Sequence, residues 1–278
     1  MGIHIVVLAK QVPDTQNVTG EAMKEDGTVN RAALPAIFNP EDLNALEMAL
    51  EIKEMTDAKL SVITMGPPKA ADILKDSLYR GADQCFLLTD RKFAGADTLA
   101  TSYVLAEGVK TIGSFDIVLC GRQAIDGDTA QIAPQVAQKL GITQVTYAEK
   151  VLDVSESEKT IRLERQLGRH RETVEAGFPV LLTVNDEANE PRPANAKLLI
   201  AHKNAEPRPG NGDPAAITLL SADDLGCDPE LTGLKGSPTK VKNIESVVLS
   251  GNEMKTVPSE EEDIRNLIDE LKKDHVLL

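Results

Sequence analysis

From residue 3 to residue 148, short uncharged runs of Val, Ile and Leu alternate with longer stretches whose apolar residues recur every three or four positions. Ile3 to Ala9 is apolar at nearly every position and reads as a strand buried on both faces. After it, residues 11–36 are polar and irregular, a loop or hairpin excursion. Asn39-Pro40 then reads as a helix start, with Asn as N-cap and Pro in the first turn. Glu41 and Asp42 suit the positive end of that helix, and Leu43, Leu46 and Leu50 give it an amphipathic pattern through about Met55. The same spacing predicts strands over 60–65, 85–88, 115–120 and 144–148. It predicts helices over 70–79, 97–112 and 129–140, with Gly66-Pro67-Pro68, Gly81, Gly121 and Gly141 as stops. Strands separated by helices pair in parallel, so the expected fold is α/β: a doubly wound, mainly parallel sheet with helices on both faces.

Beyond Lys150 the pattern changes. Residues 159–167 and 170–175 read as two strands around Gly168, and 178–184 as another; late hairpin-like strands extend a parallel sheet at its edge. Residues 185–203 read as a loop, and 202–242 are rich in Pro, Gly and Asp with little periodicity. Ser259-Glu260-Glu261-Glu262 reads as a capping box. The helix it opens runs to about Lys273, with Ile264, Leu267, Ile268 and Leu271 on one face. The chain thus divides into an α/β domain, residues 1–203, and a C-terminal arm, residues 204–278. The arm's last helix can pack at home or on a partner.

Composition narrows the function. With 30 Lys and Arg against 44 Asp and Glu the net charge is −14, which opposes binding to a nucleic-acid backbone or an anionic lipid surface. Aromatic residues are 3% and Trp is absent, so no stacking platform for bases is available. A bound nucleotide, which needs only a local site, remains compatible. The apolar runs are far shorter than the roughly 20 residues of a membrane span. The N-terminus lacks a signal peptide's basic region, and Val6 stands where a myristoylation signal needs Ser or Thr. No membrane insertion and a cytoplasmic location are expected. Cys85, Cys120 and Cys227 are far apart without a CxxC, so they read as buried free thiols in a reducing compartment rather than ligands.

Ligands of an open parallel sheet bind beyond the carboxyl ends of its strands, which selects the loops near Ala9, Met65, Leu88 and Cys120. The last is the most unusual: Gly121, Arg122, Gln123, Ala124, Ile125, Asp126, Gly127, Asp128, Thr129, Ala130, Gln131. Gly121 and Gly127 permit close backbone approach or positive φ. Asp128 or Thr129 can cap the following helix, whose free N–H groups would face a phosphate, and Arg122 is a charge partner for a diphosphate. The same residues also suit an ordinary capped loop, and the two acids oppose an anion. No GxGxxG follows the first strand and no GxxxxGK[ST] is present. His4, His170, His202 and His275 are scattered without metal-ligand spacing, His4 reading as structural and His170 as solvated. No GxSxG elbow exists. The chain reads as a nucleotide-binding module without catalytic machinery of its own.

The ordered motifs are Val7 to Asp14, Phe38-Asn39-Pro40 with Ala45-Leu46-Glu47, Thr64-Met65-Gly66-Pro67 and Gly81-Ala82-Asp83. Gly95 to Thr101, Gly121 to Gln131 and Asn189-Glu190-Pro191-Arg192 follow. Together they resemble the beta subunit of the electron-transfer flavoprotein family, nearly throughout to Lys203 and weakly beyond. The resemblance implies an adenine-nucleotide alpha-hydrolase-like fold and an electron-carrying heterodimer with an FAD-bearing alpha subunit. In one branch the beta chain holds AMP as a structural group. In the other it holds a second FAD, NADH delivers a hydride, and the electron pair is split between a high-potential acceptor and ferredoxin or flavodoxin. The form of Gly121 to Gln131 and of Gly95 to Thr101 resembles the second branch, so FAD is expected, with AMP as the alternative.

Carried over by position, the resemblance places Leu8 and Ala9 beside the nucleotide, Asn39 on its adenosine part, and Met65 and Gly66 against adenine or ribose. Gly121 to Gln131 would wrap the phosphates, Thr98 and Thr101 would bind the diphosphate of FAD, and Arg122 would favour the reduced flavin's negative charge. Residues 188–192 resemble the segment by which the family docks on dehydrogenases, acyl-CoA dehydrogenases among them. Ala188 stands where a Leu anchor is common, which buries less area. The arm from residue 204 would wrap the alpha subunit.

Overall fold

Residue burial explains the strand pattern: Ile3, Ile5 and Val7 lie in one apolar cluster and Val6 and Leu8 in a second, so β1 (His4–Leu8) is covered on both faces. The computed structural model describes residues 2–14, 34–209, 217–239, 256–274 and 276. After β1 the chain forms β2 (Gln11–Pro13) and β3 (Ala36–Phe38), an antiparallel pair that makes the expected excursion a hairpin at its two ends. Residues 15–33 lie outside the described residues. Then follow α1 (Pro40–Thr56), β4 (Lys59–Met65), α2 (Ala71–Arg80), β5 (Gln84–Leu88), α3 (Thr98–Thr111), β6 (Ile117–Gly121) and α4 (Ile132–Leu140). The second half holds β7 (Thr143–Ser155), β8 (Thr160–Leu167), β9 (His170–Gly177), β10 (Val180–Val184), α5 (Ala196–His202), β11 (Pro207–Pro209), β12 (Ile217–Leu220) and α6 (Glu261–Lys273).

The main sheet has ten strands in the order β11-β12-β5-β4-β1-β6-β10-β7-β8-β9. Every pair from β11 to β7 is parallel, and β7-β8-β9 closes one side as an antiparallel meander. Helices α1 and α2 bury Leu46, Met48, Leu74 and Leu78 with Ile5 and Val7 on one face. Helices α3 and α4 bury Val104, Val109 and Val136 with Val6 and Leu8 on the other. From β1 the chain winds one way to β4 and β5, then crosses back to β6 on the other side of β1. That reversal opens a crevice at the carboxyl ends of β1 and β6.

Several expectations need correction. Helix α1 is not amphipathic in effect: Glu41, Asp42, Asn44 and Glu47 are buried along with its apolar residues, because loops cover its outer side. Helix α4 begins at Ile132 rather than near Thr129, with Gln131 at its N-cap, because the left-handed backbone of Asp128 (φ 47°) and Ala130 (φ 51°) interrupts any earlier turn. Neither Asp128 nor Thr129 caps it. The capping box fails: Glu260 is the N-cap of α6 and makes no side-chain cap bond. A short helix, α5, stands inside the expected loop 185–203, capped by Asn195. Cys85 and Cys120 are buried, whereas Cys227 is partly exposed.

The arm expected from residue 204 begins with sheet. Ile217 to Leu220 pair in parallel with Cys85 to Leu88, and Ile217, Ala222 and Leu225 are buried. Four residues carry no legible period, and their partner is distant in sequence. Among described residues, α6 alone of the longer helices buries nothing, leaving Ile264 and Ile268 exposed. No described helix is long and apolar enough to cross a membrane.

A chain ending at residue 203 should therefore aggregate, because β5 becomes an open, apolar edge. Light scattering and thermal melting against the full chain check this; a monomeric fragment with the full chain's melt would contradict it.

Candidate functional site

The crevice is built by the first turn of α1. Asn39-Pro40 starts the helix, but the Asn39 side chain makes no cap bond to it. Its amide instead donates to the Gln123 carbonyl at 2.9 Å and accepts from the Ile125 N–H at 3.1 Å. Glu41 accepts from the Gln123 N–H at 2.9 Å and pairs with the Arg122 guanidinium at 2.7 Å. Asp42 accepts from the Lys10 N–H at 2.9 Å and the Gly121 N–H at 2.8 Å. Loop backbone at a buried strand end needs such partners, and each unsatisfied group would cost about 1–3 kcal/mol.

This contact explains Gly121. A Cβ there would lie 2.6 Å from Glu41 Cβ and 2.7 Å from the Glu41 carbonyl carbon, so the glycine admits α1 rather than a ligand. Gly127 has open space and no positive φ; the left-handed positions fall on Asp128 and Ala130. For Ala130 that conformation costs on the order of 1 kcal/mol. Outside, Lys10 bridges to Asp126 at 2.6 Å, so the loops after β1 and β6 are tied at the surface as well as in the interior.

The remaining candidates gather at the same edge of the sheet. Leu8 and Ala9 end β1, and the Ala9 N–H bonds the Ile63 carbonyl. Met65 and Gly66 end β4, and the Gly66 N–H bonds the Leu88 carbonyl at 3.1 Å. Asp97 caps α3, accepting from the Leu99 and Ala100 N–H groups. The Thr98 hydroxyl donates to Gln131 Oε1 at 2.9 Å, and Gln135 Nε2 reaches Thr98 at 3.4 Å. Thr101 lies one turn further along α3. Ala124, Thr129 and Ala130 complete the span from β6 to α4. Asn39 is fully buried with both amide atoms committed to the loop, and Arg122 carries its charge against Glu41 rather than alone.

Sequence reasoning missed the chief residues of this assembly. Glu41 and Asp42 read as helix-dipole partners, yet both are buried. Burial pushes the Asp42 carboxyl up to about 7, opposed by its two backbone N–H bonds and Asn39 and aided by the Glu41 charge. The signal was available: two adjacent acids directly after Asn-Pro, beside a strand end.

Helix α1 also holds the loop after β10. Asn44 donates to the Asn189 carbonyl at 2.8 Å, and Asn189 donates back to the Asn44 carbonyl at 3.1 Å. Arg192 donates from its N–H and Nε to Glu47 and pairs with Glu54. Ala188 packs against the larger apolar cluster. A cleft of about 1050 Å³ lies between this loop, α2 and α5, lined by Arg80, Arg192 and Leu198.

The Asp42 carboxyl, ordinarily near 3.8, is raised in the folded chain. Its stability contribution is therefore full below about pH 4 and is lost as pH rises towards 7, an effect on the order of a few kcal/mol. An Asp42→Asn chain should lack this loss, so its melting temperature relative to wild type should climb between pH 5 and pH 8. A pH-independent difference between the two melts would contradict this.

The family model described as electron transfer flavoprotein domain matches residues 26–219. Electron transfer flavoprotein subunit beta of Clostridium acetobutylicum is 42% identical over 275 residues, covering 99% of this chain and 100% of its own length. Caffeyl-CoA reductase-Etf complex subunit CarD of Acetobacterium woodii is 41% identical over 277 residues, with 99% and 100% covered. Acryloyl-CoA reductase electron transfer subunit gamma of Anaerotignum propionicum is 35% identical over 282 residues, again with 99% and 100% covered.

Proposed function

Because this chain belongs to the electron transfer flavoprotein family and matches its beta subunits from end to end, we propose that it is an electron-carrier subunit whose crevice holds FAD. The carrying observation is the loop 121–127, fixed by Asn39, Glu41 and Asp42 over the reversal point of the sheet. Ligands of open α/β sheets bind at that place.

The residues suit a nucleotide. Two buried polar atoms at this end have no partner among the described residues: Thr64 Oγ1, directly before Met65, and Gln135 Oε1, on the side chain that reaches Thr98. Orphaned buried groups call for a polar ligand or water. They stand on different elements, β4 and α4, which favours a dinucleotide over AMP. Left-handed Ala130 adds local strain of the kind found at ligand clamps.

FAD bound there would supply reversible transfer of electrons, with NADH as donor. The chain's part is to bind and orient. Leu8, Ala9, Met65 and Gly66 would line the adenosine, the loop 121–131 would wrap the phosphates and present N–H groups from its end, Thr129 to Gln131, since those of Gly121, Gln123 and Ile125 are held by α1, and Thr98 and Thr101 would hold the second phosphate at the start of α3. Arg122, offset by Glu41, would contribute donor groups more than net charge.

The alpha subunit is the proposed constant partner, and the arm from residue 204, with the unpartnered apolar face of α6, is the proposed contact. Two relatives are named as parts of caffeyl-CoA and acryloyl-CoA reductase systems. That supports a second partner of the acyl-CoA dehydrogenase class, docking on residues 188–192. Ferredoxin or flavodoxin would take the low-potential electron.

The pair purified with its alpha subunit should release two FAD per heterodimer. One FAD with one AMP would instead make this chain the scaffold of a single-flavin carrier.

A further inference from the structure

Asp42 differs from the other buried carboxylates of α1. Glu41 meets Arg122 and Glu47 meets Arg192, whereas Asp42 meets no cation: it accepts from backbone N–H groups of two different loops, at Lys10 and Gly121, with the neutral Asn39 amide beside it. The charged and titratable groups around it are otherwise engaged. Lys10 carries its ammonium to Asp126, Arg122 carries its guanidinium to Glu41, and Cys120 is a buried thiol at the end of β6. A carboxylate buried without a cation is a costly way to secure structure. An Asn would satisfy one amide more cheaply. The two amides bond different oxygens of Asp42; ionised, both oxygens accept fully, whereas protonation turns one into an O–H donor and a much weaker acceptor, so one amide loses most of its bond.

The two amides belong to the residues that begin the opposite lips of the crevice. Resting on the reading that this crevice takes an adenine nucleotide, we infer that Asp42 is its positioning residue: ionised, it clamps the Lys10 and Gly121 amides together and sets the width of the crevice, and protonated it releases one lip. The nucleotide then binds the ionised form, and affinity follows the ionised fraction. With the carboxyl held near 7, that fraction changes steeply around neutrality.

The probes are FAD, followed by quenching of its fluorescence, and AMP, followed by calorimetry, each with the full-length chain between pH 6 and pH 8. FAD is decisive because its diphosphate does not titrate in this range. Wild type should lose about tenfold in affinity from pH 8 to pH 6, the ratio of ionised fractions for a group near 7. Asp42→Asn should be flat across the range, at or below the wild-type value for pH 6, with a melting temperature at pH 8 no lower than wild type. Loss of binding without loss of stability is what a merely structural residue would not produce.

Asp83 is the control. It accepts the Leu60 N–H at 2.8 Å at the opposite edge of the sheet and pairs with Lys53. Asp83→Asn should keep the wild-type pH profile. If Asp42→Asn does not fold, the wild-type profile against Asp83→Asn decides alone. Tight binding that is flat with pH in wild type, or an unchanged affinity in Asp42→Asn at pH 8, overturns the positioning role and leaves the nucleotide reading standing. No binding of either probe at any pH overturns the nucleotide reading itself.

Discussion

A loop that leaves a buried strand end carries amide and carbonyl groups that must find partners. Here the partners are supplied by three polar residues within one four-residue helical start. Asn39, Glu41 and Asp42 take up the N–H groups of Lys10, Gly121, Gln123 and Ile125 and the carbonyl of Gln123. With these bonds made and Asp42 ionised, α1 holds both walls of the crevice between β1 and β6, and binding a ligand there would cost less ordering entropy. Gly121 is the steric condition for the arrangement, since any side chain there would push α1 away. Further along the same helix, Asn44, Glu47 and Glu54 hold the loop from residue 186 to residue 192. One helix thus secures the candidate nucleotide loop at its start and the candidate docking loop along its body.

Much of this fold was legible in the sequence because parallel strands buried on both faces leave an unmistakable mark. Ile3 to Ala9, Leu60 to Met65 and Phe115 to Cys120 read as strands, and the helices α2 and α4 end at glycine stops, Gly81 and Gly141. The misses share a cause: each depends on a partner far away in the chain. β12 is short and gains its identity from β5. The late start of α4 follows from left-handed residues that no propensity favours, Ala130 above all. The capping box at Ser259 satisfies a pattern, but the pattern does not dictate that the bonds form.

The candidate site was read by a different route. Topology selected one edge of the sheet, and a family resemblance supplied the residues. Neither revealed who holds whom. Asn39 looked like a cap and a ligand contact, and its side chain serves the loop 123–125. Arg122 looked like a free charge and is paired. Asp42 read as a partner of the helix dipole and is buried, bonding the Lys10 and Gly121 amides. Buried polar groups announce themselves weakly in sequence, because the same residue types dominate surfaces.

Hydrogen exchange of the ligand-free chain, resolved to single amides, tests the account most directly. The amides of Lys10, Gly121, Gln123 and Ile125 should already exchange slowly, while those of Thr129 to Gln131 should exchange fast and slow down only on adding FAD. Fast exchange at Gly121 and Gln123 until a nucleotide is present would contradict it, since the ligand rather than α1 would then be building the crevice.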